Sequence, residues 1–98
     1  MREVIIPYSL WRKIEDIRDY LIFELKLSEK AAGTRINRME AFINSLKNPA
    51  DYVLCRFKRW RVHGYRCAVF ENSWIFAYEI FDRGVIVRDI AHVSSLTE

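Results

Sequence analysis

The stretch from Gly64 to Ser95, GYRCAVFENSWIFAYEIFDRGVIVRDIAHVSS, decides the fold. Tyr65–Phe70 is β-prone, and Glu71-Asn72-Ser73 supplies the small polar residues that close a turn. Trp74–Phe81 (WIFAYEIF) is nearly apolar on both faces, the pattern of a strand in the middle of a sheet. Asp82-Arg83-Gly84 predicts a tight turn, with Gly84 at positive φ. Val85–Val93 (VIVRDIAHV) is a third strand, and Ser94–Glu98 is too short for another element. Three strands joined by short turns make a meander.

Upstream the period changes from two to that of a helix. Glu3–Ile6 is a short β-prone run stopped by Pro7, and Ser9 is a candidate N-cap. Leu10, Ile14, Ile17, Leu21 and Leu25 then recur on one stripe, predicting a helix to about Leu27. Ser28 is a second N-cap, with Glu29 in the first turn where the helix dipole favours an acid. Ala32, Ile36, Met39, Ile43 and Leu46 mark a second stripe. Gly33 costs this helix about 1 kcal/mol relative to Ala and reads as a point of close helix approach. Asn48-Pro49 ends the run. Two amphipathic helices with almost no linker form an antiparallel hairpin. The order is β-α-α-β-β-β. It predicts an α+β fold in which an antiparallel four-stranded sheet carries the N-terminal helical hairpin on one face and leaves the other free. Residues 51–63 read either as an irregular loop or as containing a short strand at Tyr52–Phe57.

Ninety-eight residues fit one domain, residues 1–98, and a 51% hydrophobic content is too high for a disordered chain. No apolar run approaches the ~20 residues that span a bilayer, so no membrane association is expected. Met1–Ser28 is too densely charged for a signal peptide, which points to a cytoplasmic protein. Cys55 and Cys67 fit no zinc spacing and are too few for a disulfide framework; Cys67 reads as a small core residue. Neither a metal nor a cofactor is implied. The net charge is +3, and nearly all the excess lies in Cys55–Arg66, CRFKRWRVHGYR, which holds Arg56, Lys58, Arg59, Arg61 and Arg66 and no acid.

Several residues carry two readings. Arg66 is either a solvated or carboxylate-paired edge arginine, or a guanidinium whose planar fork grips phosphate or an acidic surface from the free sheet face. Lys58-Arg59-Trp60-Arg61 is either a solvated loop with Trp60 folded onto the core, or a cationic patch with a stacking ring for nucleic acid or an acidic protein groove. His92 falls on the same side of the last strand as Ile86, Arg88 and Ile90. It is either a half-buried, hydrogen-bonded ring or a general acid–base, since imidazole moves protons near neutral pH. Tyr65 and Tyr78 read as structural. Trp11 and Tyr20 lie off the first helix's main stripe and form a candidate docking surface.

The element order, the length and the last third of the chain resemble the RelE/ParE superfamily of bacterial type II toxins. Arg66 stands where that family has an arginine at the start of a strand, and Trp74–Tyr78 with Ile80 form its aromatic-rich strand. Asp82-Arg83-Gly84 is the following turn, and Ile90 with His92 ends the final strand. Trp74-Ile75 replaces the arginine typical of the ribonuclease branch, and Asp89 stands where many members are basic. The resemblance therefore implies the ParE side: a toxin, neutralised by a cognate antitoxin in a hetero-oligomer, that binds and blocks DNA gyrase. Its partner-binding residues would be Lys58, Arg59, Trp60, Arg61, Arg66 and Arg88. The alternative is a RelE-type endoribonuclease that cuts ribosome-bound mRNA, with Arg66 stabilising the phosphorane and His92 protonating the leaving oxygen. A third reading is a repurposed interaction module. The toxin readings expect the cations to gather on the uncovered side of the sheet.

Overall fold

The computed structural model describes residues 3–47 and 54–95. The elements are β1 (Glu3–Ile5), α1 (Tyr8–Phe23), α2 (Glu29–Asn44), a 3-10 turn (Ser45–Lys47), a one-turn helix α3 (Lys58–Arg61), β2 (Arg66–Phe70), β3 (Trp74–Phe81), β4 (Gly84–His92) and a closing 3-10 turn (Val93–Ser95). The α+β class and the β-α-α-β-β-β order match the sequence reading, with α3 as a short addition. The ends at Asn48-Pro49, at Tyr52-Val53 and at Leu96–Glu98 fall outside the described residues. No helix among the described residues is long and apolar enough to cross a membrane.

The strand order is β1-β4-β3-β2. β2, β3 and β4 form the antiparallel meander, but β1 joins β4 in parallel, Val4 opposite Val85, so the sheet is mixed rather than wholly antiparallel. A return from β1 through two helices and two strands delivers β4 beside β1 in the same direction. Gly84 makes this contact possible. A β-carbon there would lie 1.8 Å from the Glu3 carbonyl oxygen, so β1 seats directly against the glycine backbone. The expected positive φ is not found at Gly84; in the meander it is taken by Glu71 and Asn72, in the β2–β3 turn.

Both helices bury the predicted stripes. Leu10, Ile14, Ile17 and Leu21 of α1 and Ala32, Ile36, Met39 and Ile43 of α2 pack with Leu46 onto Ala68, Phe70, Phe76, Tyr78, Val85, Val87 and Ile90. Ser28 caps α2 as read, its Oγ accepting from the Ala31 amide at 3.1 Å. Ser9 does not cap α1. The cap position is Pro7, two residues earlier, so the helix begins at Tyr8; it ends at Phe23, which leaves Leu25 exposed. A left-handed residue, Lys26, turns the chain between the helices. Nothing lies within contact of a β-carbon built on Gly33, so it is not a point of close approach.

The second face of the sheet is not free. The segment from Leu54 to His63 folds across it, and Cys55, Phe57 and Trp60 pack on Ile75 and Ala77 in a smaller core. A Cys55–Cys67 disulfide fastens this segment to β2, so the cysteines are a bonded pair rather than free core thiols. Their separation of 12 residues brings the chain back on itself through α3 and Gly64, whose φ of 73° suits the turn. Leu54 makes one bridge to Arg66, the only strand-like contact the described part of Tyr52–Phe57 forms. β3 is thereby covered on both sides, as its two-faced apolarity predicts: Ile75, Phe76, Ala77 and Tyr78 are all buried.

Candidate functional site

A register shift in the β3–β4 pairing sets where the candidate side chains point. Ala77 pairs with Asp89 and Tyr78 with Val87, which leaves Arg88 as an extra residue. Before the bulge, Val85 and Val87 face the helices; after it, Ile90 and His92 do. Ile86 and Arg88 therefore part from Ile90 and His92, against the uninterrupted alternation read from the sequence. Arg88 turns toward Glu79, with Nε 2.9 Å and Nη2 2.8 Å from Oε1. It is an ion-paired arginine and not a member of the α3 cluster.

The candidates separate into three places. Arg66 alternates with Ala68 and Phe70 and pairs with Tyr78, which places it on the helix side of the sheet at one end. It has interaction partners within the protein. His92 lies on the same side at the other end, opposite Trp74, their rings 5.0 Å apart and edge to face. Tyr78 and Trp74 are four residues apart on β3, so Arg66 and His92 differ by about 13 Å along the strands at 3.3 Å per residue. They are also two strands apart across the sheet, so they do not meet over one phosphate. Lys58, Arg59 and Arg61 ride on α3 over the opposite face. The expected gathering of Arg61, Arg66 and His92 on one uncovered surface does not occur.

Trp60 is the pivot of the third group. It is 2% exposed, so it is a core residue and not a stacking ring offered to a ligand. Burying it turns the flanking Lys58, Arg59 and Arg61 outward. Arg59 lies with its guanidinium 5.8 Å from the indole and Arg56 with its own 5.4 Å from the Phe57 ring. None of the described ion pairs involves Lys58 or Arg61. The exposed Val62 follows, 76% accessible, so the cations border one apolar side chain.

Asp89 anchors this arrangement. Its carboxylate accepts from the Trp60 indole, from the Ile90 amide at 2.8 Å and from Lys13 of α1. Burial works to raise its pKa, but the hydrogen bonds from Lys13, Trp60 and Ile90 outweigh it and hold the carboxyl below its ordinary value. Beyond Ile86, β4 has no strand partner on the β1 side among the described residues; there Lys13 reaches Asp89 from the helix layer while Trp60 reaches it from the opposite face. The sequence singles out Asp89 only as a departure from the family pattern and gives no signal for Lys13.

His92 is held by its own neighbours. Its Nδ1 accepts the Ser94 amide at 3.1 Å and lies 2.8 Å from Ser94 Oγ, so the neutral ring carries its proton on Nε2. Tyr20 also meets Trp74 edge to face, with ring centroids 6.5 Å apart. Tyr20 thus joins an aromatic row with Trp74 and His92, whereas Trp11 makes no such stack among the described residues and keeps 37% of its surface. On the second face a cleft of about 280 Å3 opens beside the disulfide, lined by Leu54, Arg56, Phe57, Cys67, Val69 and Ile75.

Compared with known proteins, the chain matches no family model and no curated relative.

Proposed function

We propose that the chain is the toxin of a type II toxin–antitoxin pair with a RelE/ParE-like fold, acting by docking on DNA gyrase rather than by cutting RNA. The observation that carries this reading is the α3 cluster. Lys58, Arg59 and Arg61 stand exposed around a buried Trp60, in a stretch that holds no acid from Leu54 to Arg66. Such a surface favours an acidic groove of a target protein and raises encounter rates with it. The acidic, apolar segment of a cognate antitoxin would cover the same cluster and neutralise it in a hetero-oligomer. The distance between Arg66 and His92 supports docking over catalysis, because phosphorane charge and leaving-group proton must be handled within one site.

The endoribonuclease alternative draws support from His92 alone, an imidazole whose protonated form would be the acid a leaving oxygen needs. Inducible expression with mapping of mRNA 5′ ends and of DNA breaks separates the readings. Docking on gyrase predicts growth arrest with DNA breaks and intact mRNA. Arrest is then lost in the Lys58→Glu/Arg59→Glu/Arg61→Glu variant and kept in His92→Ala. Codon-position cuts in translated mRNA, abolished by His92→Ala and Arg66→Ala, would establish the ribonuclease instead. Expression without arrest would remove both and leave the interaction module.

A further inference from the structure

We propose that the Cys55–Cys67 disulfide is an exchange site for small anionic thiols, entered through the cleft at Cys67, and that exchange unfastens the Leu54–Arg61 segment from the sheet. This goes beyond the docking reading and stands or falls separately from it. The two sulfurs are unequally placed. Cys55 is 1% exposed in the smaller core, whereas Cys67 is only partly buried and lines the 280 Å3 cleft. An incoming thiolate therefore meets Cys67 first, and Cys55 is the leaving sulfur. The cleft falls just below the ~300 Å3 lower end of ligand pockets, so it takes a small thiol and not a folded reductase. Arg56 forms part of its wall, and Lys58 and Arg59 follow in sequence with no acid among them. The attacking species is the thiolate, and positive charge beside the sulfur favours both that anion and a thiol bearing carboxylates.

The chemistry balances with a monothiol as reductant. A thiolate attacks Cys67 Sγ and forms a mixed disulfide; the Cys55–Cys67 bond breaks, and Cys55 leaves as thiolate and takes a proton. A second thiolate attacks the mixed disulfide and releases Cys67, which is protonated in turn. The cysteine pair gains two electrons and two protons, and two thiols become one disulfide. The segment then keeps the Trp60–Asp89 hydrogen bond, the Cys55 amide bond to the Tyr65 carbonyl and the packing of Phe57, but loses its covalent tie to β2.

The test treats the oxidised protein with reduced glutathione, quenches with acid, alkylates and locates the adducts by peptide mass spectrometry. Glutathione is expected on Cys67, with a rate that depends only weakly on urea, since attack occurs in the folded state. Arg56→Glu is expected to slow glutathione about tenfold, the low end of what a charged mouth does to an approach rate, and to slow 2-mercaptoethanol, whose thiolate carries no carboxylates, clearly less. Hydrogen exchange of amides 55–63 rises on reduction while that of β3 does not. Glutathione found mainly on Cys55, or reduction that proceeds only as the whole protein unfolds in urea, overturns the proposal. Equal slowing of both thiols by Arg56→Glu also overturns it. Should that variant misfold, the adduct position and urea dependence of the unaltered protein decide the matter alone.

Discussion

The indole Nε1–H of Trp60 donates to Oδ2 of Asp89 at 3.0 Å, joining the segment on the second face of the sheet to the edge of β4. Lys13 reaches Oδ1 of the same carboxylate from α1. One side chain thus ties together the helix layer, the sheet and the segment that carries the cations.

Removing that carboxylate is expected to cost far more than removing its charged partner. Asp89→Ala leaves the buried Trp60 indole and the Ile90 amide without acceptors, a loss of about 1–3 kcal/mol. Lys13 has a side chain 52% exposed, so Lys13→Ala loses only a solvent-screened ion pair, under about 1 kcal/mol. Urea unfolding of the two variants checks the order. Equal losses would mean that the ion pair, and not the indole bond, is what matters.

The same carboxylate gives acid stability a definite sign. Its folded pKa lies below the ordinary 3.8, so its contribution is present above that value and fades as pH falls through the lower folded one. The stability difference between the unaltered protein and Asp89→Asn should therefore be constant from neutral pH down to about 4, then shrink in stronger acid. A difference that grows on acidification would reverse the assignment.

Much of this layout is legible in the sequence because burial imposes a period. The stripes on α1 and α2 and the two-faced run Trp74–Phe81 each follow from which positions must avoid water. The Arg88 bulge is not legible, since one inserted residue leaves the composition of β4 unchanged yet swaps the face of everything on one side of it. The cover on the second face is equally hidden. For Lys58-Arg59-Trp60-Arg61 the reading with Trp60 folded onto the core is the one realised, but the sequence does not say that the core it joins lies over Ile75 and Ala77 on the face expected to be free. A cysteine pair carries no mark of its pairing either, because the turn through Gly64 that brings Cys55 to Cys67 is set by tertiary contacts.

Gly84→Ala tests the parallel seam. The added methyl would meet the backbone of Glu3 and not a movable side chain, so β1 must shift. Overpacking of this kind costs about 1–3 kcal/mol. The Glu3 amide, which donates to the Arg83 carbonyl at 2.6 Å, should lose its protection from hydrogen exchange while β2 and β3 keep theirs. Unchanged protection at Glu3 would show that the seam tolerates a side chain.

The disulfide makes a prediction about where stability resides. Closing a loop between residues 12 apart removes freedom from the unfolded chain worth about 3 kcal/mol. Cys55→Ala/Cys67→Ala should lose about that much in urea unfolding, because an alanine pair leaves only small gaps in the smaller core. The loss has to appear as a lower midpoint together with a raised slope, since the unbridged chain exposes more surface when it unfolds. The main core beneath α1 and α2 contains neither cysteine, so hydrogen-exchange protection of Phe76 and Val87 should fall only by the global loss, while that of residues 55–63 falls further through local opening. If both regions lose protection equally, the second-face segment is not a separate unit, and the sheet and its cover unfold as one.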